Sequence, residues 1–199
     1  MRGLEREARD TLALAVERHH PSLVLACSFQ KEESVLVDLL TAIAPDARLF
    51  TIDTGVLFEE TLATWRAFEQ RWGVQVEVHE ARGPWNAQHC CGDSKVAALE
   101  RALTGVDGWI TGVRREQAST RGDAALVDHD ERRGIAKYNP LAGWTERDVW
   151  RYVHDRDLPY NALHDRGYAS IGCEPCTQPG SGREGRWAES AKTECGLHV

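Results

Sequence analysis

The feature that most constrains this chain is a repeated change of hydrophobic period. Leu23-Val24-Leu25-Ala26-Cys27 is a short apolar run. The polar loop Ser28 to Glu33 follows it, and Val35, Leu36, Leu39, Leu40 and Ile43 then recur at helical spacing. The same order returns from Arg48 to Trp72, with Leu49-Phe50-Thr51-Ile52 as strand and a helix from Glu59 onward. Val74 to Val78 and Gly108 to Gly112 read as a third and a fourth strand, the latter after a helix near Lys95 to Leu103. Strands alternating with helices predict an α/β fold with a mainly parallel sheet flanked by helices. In such sheets ligands collect at the carboxyl ends of the strands.

Outside this repeat the signals are sparser. Residues 4 to 19 place Leu4, Ala8, Leu12, Ala15 and Val16 on one stripe of an amphipathic helix. Beyond residue 112 the pattern loosens into an Arg-rich stretch and short polar pieces. One helix stands out there, from Thr145 to about Arg156, where Thr145 and Asp148 make a capping-box-like start. After Pro159 the chain is rich in Gly, Pro and polar residues, with no repeat and no second domain. The expected organisation is one domain over 1–180 followed by a C-terminal segment, 181–199, that forms a mobile tail.

Charge narrows the function. Lys and Arg number 24 against 31 Asp and Glu, a net charge of −7, so no bulk field draws the chain to nucleic acid or to an anionic membrane. An anionic ligand must be held by a local cationic cluster. The N-terminus lacks the features of a signal peptide, and no stretch approaches the roughly 18 consecutive apolar residues of a membrane span. These features point to a cytoplasmic protein, where thiols stay reduced and six cysteines suit metal or redox chemistry better than disulfides.

Cys90 and Cys91 are adjacent, and Cys173 and Cys176 form a Cys-x-x-Cys in "GCEPCTQ". Converged by the fold, the two pairs supply four thiolates, which suit zinc or an iron–sulfur cluster. Adjacent side chains diverge, which favours two irons of a 4Fe-4S cubane over two corners of a zinc tetrahedron. Four buried, inert thiols are the competing reading. Cys27, ending an apolar strand, is expected to be buried and inert. Cys195 is left over, close to the C-terminus and to His198, where packing explains a thiol poorly and nucleophilic chemistry explains it better.

Three segments at strand ends look able to bind an anion: "CSFQKEES" with Ser28, Gln30, Lys31 and Ser34 at a helix start; "IDTG" with Asp53, Thr54 and Gly55; and "TGVRREQASTR" with Arg114, Arg115 and Arg121. The first has no glycine and is neither a Walker loop nor a dinucleotide fingerprint. Lys95 lies one helical turn beyond Cys91, and Arg183 and Arg186 follow the Cys-x-x-Cys. Convergence of the thiolates would gather these three cations.

With those residues in hand, the sequence resembles the assimilatory adenylylsulfate (APS) reductases, the iron–sulfur branch of the APS and phosphoadenylylsulfate (PAPS) reductase family. The resemblance runs from about Leu23 to His198 and rests on Cys90-Cys91 with Lys95, Cys173 with Cys176, the Arg-x-Gly-Arg-Trp at 183 to 187, and Glu-Cys-Gly-Leu-His at 194 to 198. It implies an adenine-nucleotide α-hydrolase-like, PP-loop-related fold. It also implies thioredoxin-dependent reduction of APS to sulfite and AMP through an S-sulfocysteine on Cys195. The same resemblance carries a structural and electrostatic 4Fe-4S cluster over to Cys90, Cys91, Cys173 and Cys176, and a cationic set over to Lys95, Arg183, Arg186 and His198. Ser28, Gln30, Asp53, Thr54, Gly55, Arg114 and Arg115 would hold the nucleotide. The same reaction on PAPS, an ATP-using PP-loop enzyme and a zinc-binding module are the alternatives, and a homo-oligomer is compatible with the chain. Departures from the family pattern are Ser94 where an arginine usually precedes the lysine, a short segment between Cys176 and Arg183, and the glycine-free first loop.

Overall fold

The computed structural model describes residues 1–81, 83 and 92–187. Its elements follow the order α1 (Arg2–His19), β1 (Leu23–Ala26), α2 (Lys31–Thr41), β2 (Arg48–Asp53), α3 (Glu59–Trp72), β3 (Val76–Glu80), α4 (Asp93–Ala102), β4 (Gly108–Ile110), β5 (Val127–Asp130), β6 (Ile135–Tyr138) and α5 (Glu146–Asp155). The strands form one six-stranded sheet in the order β3-β2-β1-β4-β6-β5. Every pairing is parallel except that of β5 with β6.

Strand alternation divides the apolar residues between two cores. Leu23, Leu25, Leu49 and Ile110 join the larger core with α1, α2, α3 and α5, built around Leu12, Leu36, Phe68, Val149 and Tyr152. Val24, Phe50 and Trp109 point the other way and pack on Leu99, Ala102 and Leu103 of α4 and the turn after it. The central strands are therefore covered on both faces, as their mostly apolar runs require.

The structure agrees with the sequence over the first four strands, with small shifts. β3 runs from Val76 to Glu80, two residues later than its apolar run suggests, and α2 begins at Lys31, inside the segment expected to be loop. The capping box at Thr145 is present: the Asp148 amide donates to Thr145 Oγ1 at 3.2 Å and the Thr145 amide to Asp148 Oδ2 at 3.1 Å. The β5–β6 hairpin is a feature that the loosened pattern beyond residue 112 does not announce. Residues 181–187 make backbone hydrogen bonds to residues 176–178. The Gln178 amide donates to the Gly185 carbonyl at 2.8 Å and the Trp187 amide to the Cys176 carbonyl at 3.0 Å. Among the described residues no helix is long and apolar enough to cross a membrane.

Candidate active site

A cavity of about 210 Å³ opens at the carboxyl ends of β1, β2 and β4. Strand order reverses here, with β2 on one side of β1 and β4 on the other, which is where open α/β sheets bind ligands. Ala26 and Cys27, Thr51 and Ile52, and Thr111 and Gly112 line it from the strand ends, and Gln30 to Glu33 line it from the start of α2. Further parts of the wall come from residues 169–173, Arg183, Arg186, Lys95 of α4, and Arg114, Gln117 and Arg121 beyond β4.

The loop after β1 is shaped by burial and by one carboxylate. Phe29 adopts a left-handed backbone, φ 59°, which is costly for a residue with a Cβ. Its ring is buried, stacks on Trp65 at 5.4 Å and meets Phe68 edge-on at 5.7 Å. Glu33 Oε2 accepts from Ser28 Oγ at 2.9 Å and from the Gln30 amide at 3.0 Å. Its other oxygen lies against Gly112, where an added Cβ would be 2.5 Å from Oε1. Burial first, and then repulsion from Glu32, push the Glu33 pKa up to about 7 against the hydrogen bonds from Ser28 and Gln30. Cys27, also buried, is raised well above the ordinary thiol value by burial and by Glu33. Such a thiol is a poor nucleophile, as its strand-end position suggests.

Arg114 is held within the wall. Its Nε and Nη2 donate to Glu32 Oε1 at 2.9 and 2.8 Å, and Nη1 donates to Glu116 at 3.0 Å and to the Trp144 carbonyl at 3.3 Å. Burial would raise the Glu32 pKa, but Lys31 and Arg114 outweigh it and hold the carboxyl below its ordinary value. Gln117 also donates to Glu32 Oε1, at 3.2 Å, and accepts from Arg121 at 2.6 Å.

The opposite wall is tied to α2. The Ile171 amide donates to Gln30 Oε1 at 2.8 Å, and Lys31 Nζ donates to the Ala169 carbonyl at 2.7 Å. Arg186 Nη1 donates to the Ile171 carbonyl at 3.0 Å and to Ser170 Oγ at 3.3 Å. Its guanidinium fills the space a side chain at Gly172 would need, since a Cβ there would lie 2.5 Å from Cζ.

Cys173 and Cys176 flank the short 3-10 turn Glu174–Cys176. The Glu174 amide donates to the Val56 carbonyl at 2.9 Å, which fixes this turn to the loop after β2. Thr54 Oγ1 and Cys173 Sγ are 3.2 Å apart. The hydrogen bond from Cys176 leads in holding the Cys173 pKa down to about 5; burial opposes it, and Lys95, Thr54 and Arg186 add to it. Such a bias favours the thiolate, the form of a cysteine that either attacks as a nucleophile or binds a metal.

The residues singled out from sequence thus fall into groups. Ser28, Gln30, Arg114, Arg121, Lys95, Arg183, Arg186 and Cys173 all line the cavity. Asp53, Thr54 and Gly55 are not in its lining; Asp53 Oδ1 accepts from the Gly55 amide at 2.8 Å, and Thr54 faces Cys173 instead. Arg115 also lies outside the lining, its Nε donating to the Ala124 carbonyl at 2.8 Å. Cys90, Cys91, Cys195 and His198 lie outside the described residues. Among the described residues no three His, Cys, Asp or Glu side chains gather to hold a metal ion. Glu32, Glu33 and Gly112 are cavity residues that sequence reasoning missed, although two acids opening a helix after a strand were a visible signal.

The phosphoadenosine phosphosulfate reductase domain matches residues 22–179. An adenosine 5'-phosphosulfate reductase from Geobacillus sp. (strain WCH70) is 41% identical, over 96% of this chain and 90% of its own. A phosphoadenosine 5'-phosphosulfate reductase from Gloeobacter violaceus is 44% identical, over 94% of this chain and 87% of its own. The crystal structure of a PAPS reductase from Candida auris superposes with a TM-score of 0.73 at 27% identity, covering 86% of this chain and 90% of that one. The mostly parallel six-stranded sheet with its flanking helices thus has the adenine-nucleotide α-hydrolase-like, PP-loop-related fold. On sequence, fold and site together, the chain belongs to the APS/PAPS reductase family, oxidoreductases that act on a sulfated adenine nucleotide.

Proposed function

We propose that this protein reduces adenylylsulfate to sulfite and AMP with thioredoxin as reductant, in assimilatory sulfate reduction and cysteine biosynthesis. One observation carries the reading: Lys95, Arg183 and Arg186 line the same cavity at the strand ends as Cys173. In a chain of net charge −7, that gathering of cations beside a cysteine pair suits an anion whose reacting group approaches the cysteine anchor.

In this reading the Cys195 thiolate attacks the sulfate sulfur, an S–S bond forms and the bond from sulfur to the phosphate oxygen breaks. AMP leaves as the anion, and the enzyme keeps an S-sulfocysteine. A thioredoxin thiolate then attacks the Cys195 sulfur and releases sulfite, and the second thioredoxin thiol resolves the mixed disulfide, returning Cys195 as thiolate and oxidising thioredoxin. Attack of an anion on an anion is opposed electrostatically, and Lys95, Arg183, Arg186 and His198 are proposed to offset that repulsion. Ser28 and Arg114 line the nucleotide side of the cavity and Gln30 stands beside Ser28, while Asp53 to Gly55 and Arg115 are proposed to support it from outside its lining.

Cys173 and Cys176 would hold a 4Fe-4S cluster together with Cys90 and Cys91. The described half of that donor set fits the group, since Cys173 is biased toward thiolate with Lys95 and Arg186 nearby. When bound, the cluster supplies a fixed anchor and local field for these cations, not electrons to the substrate.

The test is mass spectrometry of the protein mixed with APS and no reductant. The expected result is an added SO3 on Cys195 that thioredoxin removes, with none on a Cys195→Ser protein. An adduct on a different cysteine overturns the assignment. The second reading, PAPS as substrate, draws on the printed names of the Gloeobacter violaceus and Candida auris relatives. Turnover of the two nucleotides side by side decides between them.

A further inference from the structure

The first loop reads as a phosphate cradle from sequence, yet its two most ligand-like side chains are engaged elsewhere. Lys31 is 3% exposed and sits in the first turn of α2, where a cation opposes the helix dipole. Nothing local favours it there. Its ammonium donates to the Ala169 carbonyl at 2.7 Å, pairs with Glu146 Oε1 at 3.4 Å and lies 5.8 Å from the centre of the Trp150 ring. Reaching a phosphate would cost both polar contacts of a buried charge. The Gln30 side chain is similarly placed: Oε1 accepts from the Ile171 amide at 2.8 Å, and Nε2 donates to Ser28 Oγ at 3.2 Å. One turn further along α2, Ser34 Oγ donates to the Pro159 carbonyl at 2.7 Å, a third tie from this helix to the C-terminal third of the chain.

What these bonds grip is the strip 169–171, and the other side of that strip carries the reaction's cation. Arg186 donates to the Ile171 carbonyl, so one peptide strand is bonded to Gln30 through its amide and to Arg186 through its carbonyl. Two residues further on, Cys173 begins the cysteine anchor.

We propose that Gln30 and Lys31 are positioning residues, a tether that sets the distance between the nucleotide loop and the Arg186–Cys173 wall. They do not bind the nucleotide. The inference rests on the function proposed above, because it takes Arg186 as the cation serving the sulfate. It gives a physical reason for the glycine-free loop: glycines would remove the side chains that make the tether.

The test uses Gln30→Ala and Lys31→Met, with Gln30→Glu retaining an acceptor for Ile171. Three quantities are measured on the full chain: hydrogen exchange of the Ile171 amide, affinity for AMP by calorimetry, and kcat for APS. In Gln30→Ala, loss of one hydrogen bond is expected to speed Ile171 exchange about tenfold and to lower kcat about tenfold, with AMP affinity within about threefold. Lys31→Met is expected to lower kcat with the same retention of AMP affinity, and Gln30→Glu to keep the Ile171 amide slow. AMP affinity falling in step with kcat, an unchanged Ile171 amide in Gln30→Ala, or an unchanged kcat overturns the tether. If the unsubstituted protein does not turn over APS, the proposed function fails, and amide exchange with AMP affinity still decides the tether.

Discussion

A Cβ on Gly112 would lie 2.5 Å from Oε1 of Glu33 and 3.0 Å from Cβ of Glu32. This closeness joins the end of β4 to the first turn of α2 with no room between them. Gly112→Ala is therefore expected to destabilise the fold by about 1–3 kcal/mol, the usual cost of overpacking, and to weaken AMP binding by displacing the loop. Denaturant unfolding and AMP titration check it; an alanine protein with unchanged stability would mean the wall is softer than its geometry.

Arg114 and Glu32 form a buried ion pair whose members cannot be removed singly without leaving a charge uncompensated. Arg114→Met alone is expected to cost about 3–5 kcal/mol of stability. Replacing both partners, Glu32→Gln with Arg114→Met, should cost less than the sum of the single changes. A double-mutant cycle by thermal or chemical unfolding measures the coupling.

The Glu33 carboxyl gives a pH dependence of defined sign. Its pKa is raised from 4.5 to about 7 on folding, so the folded state holds this proton more tightly than the unfolded chain. The contribution to stability is fully present below about pH 4.5 and is lost as pH rises through about 7, on the order of 3 kcal/mol across that window. Glu32, with a lowered pKa, contributes in the opposite direction, and only as pH falls into the acid range. A Glu33→Gln protein, which cannot ionise, should show a flatter profile between pH 5 and about 8 than the unsubstituted chain. Unfolding free energies at several pH values read the difference; parallel profiles would refute it.

Cys173→Ser and Cys176→Ser test the anchor. Each is expected to strip most of the iron and the broad absorbance near ~400 nm typical of thiolate-bound iron. Thr54→Val, which removes only the hydroxyl beside Cys173, should retain iron and shift the spectrum. Metal analysis and visible spectroscopy make the measurement. A colourless unsubstituted protein, isolated without air and holding zinc, would contradict the expectation.

The parts of the fold legible in sequence are those whose signal is local. β1, β2 and β4 are short, mostly apolar runs because both of their faces are covered, and Thr145 with Asp148 announces α5 within four positions. The hairpin escaped because Val127-Asp-His-Asp carries one apolar residue and lies exposed at the sheet edge. The site was legible in its residue types and less so in their roles. Lys31 and Arg114 read as anion ligands, but their partners, Ala169 and Glu32, stand 138 and 82 positions away, and no local pattern reveals such pairings. The same distance hides why Thr54, on a loop expected at the nucleotide, faces Cys173 instead.

The left-handed turn at Phe29 has a reach beyond the loop that contains it. Its unfavourable backbone is maintained by a ring wedged between Trp65 and Phe68, two side chains of α3. Trimming either aromatic would release the bend and reshape the cavity without touching any group that lines it. Attempts to retune substrate preference by evolution in the laboratory should therefore yield winners in this helix as well as at the mouth, and libraries confined to the mouth would miss them.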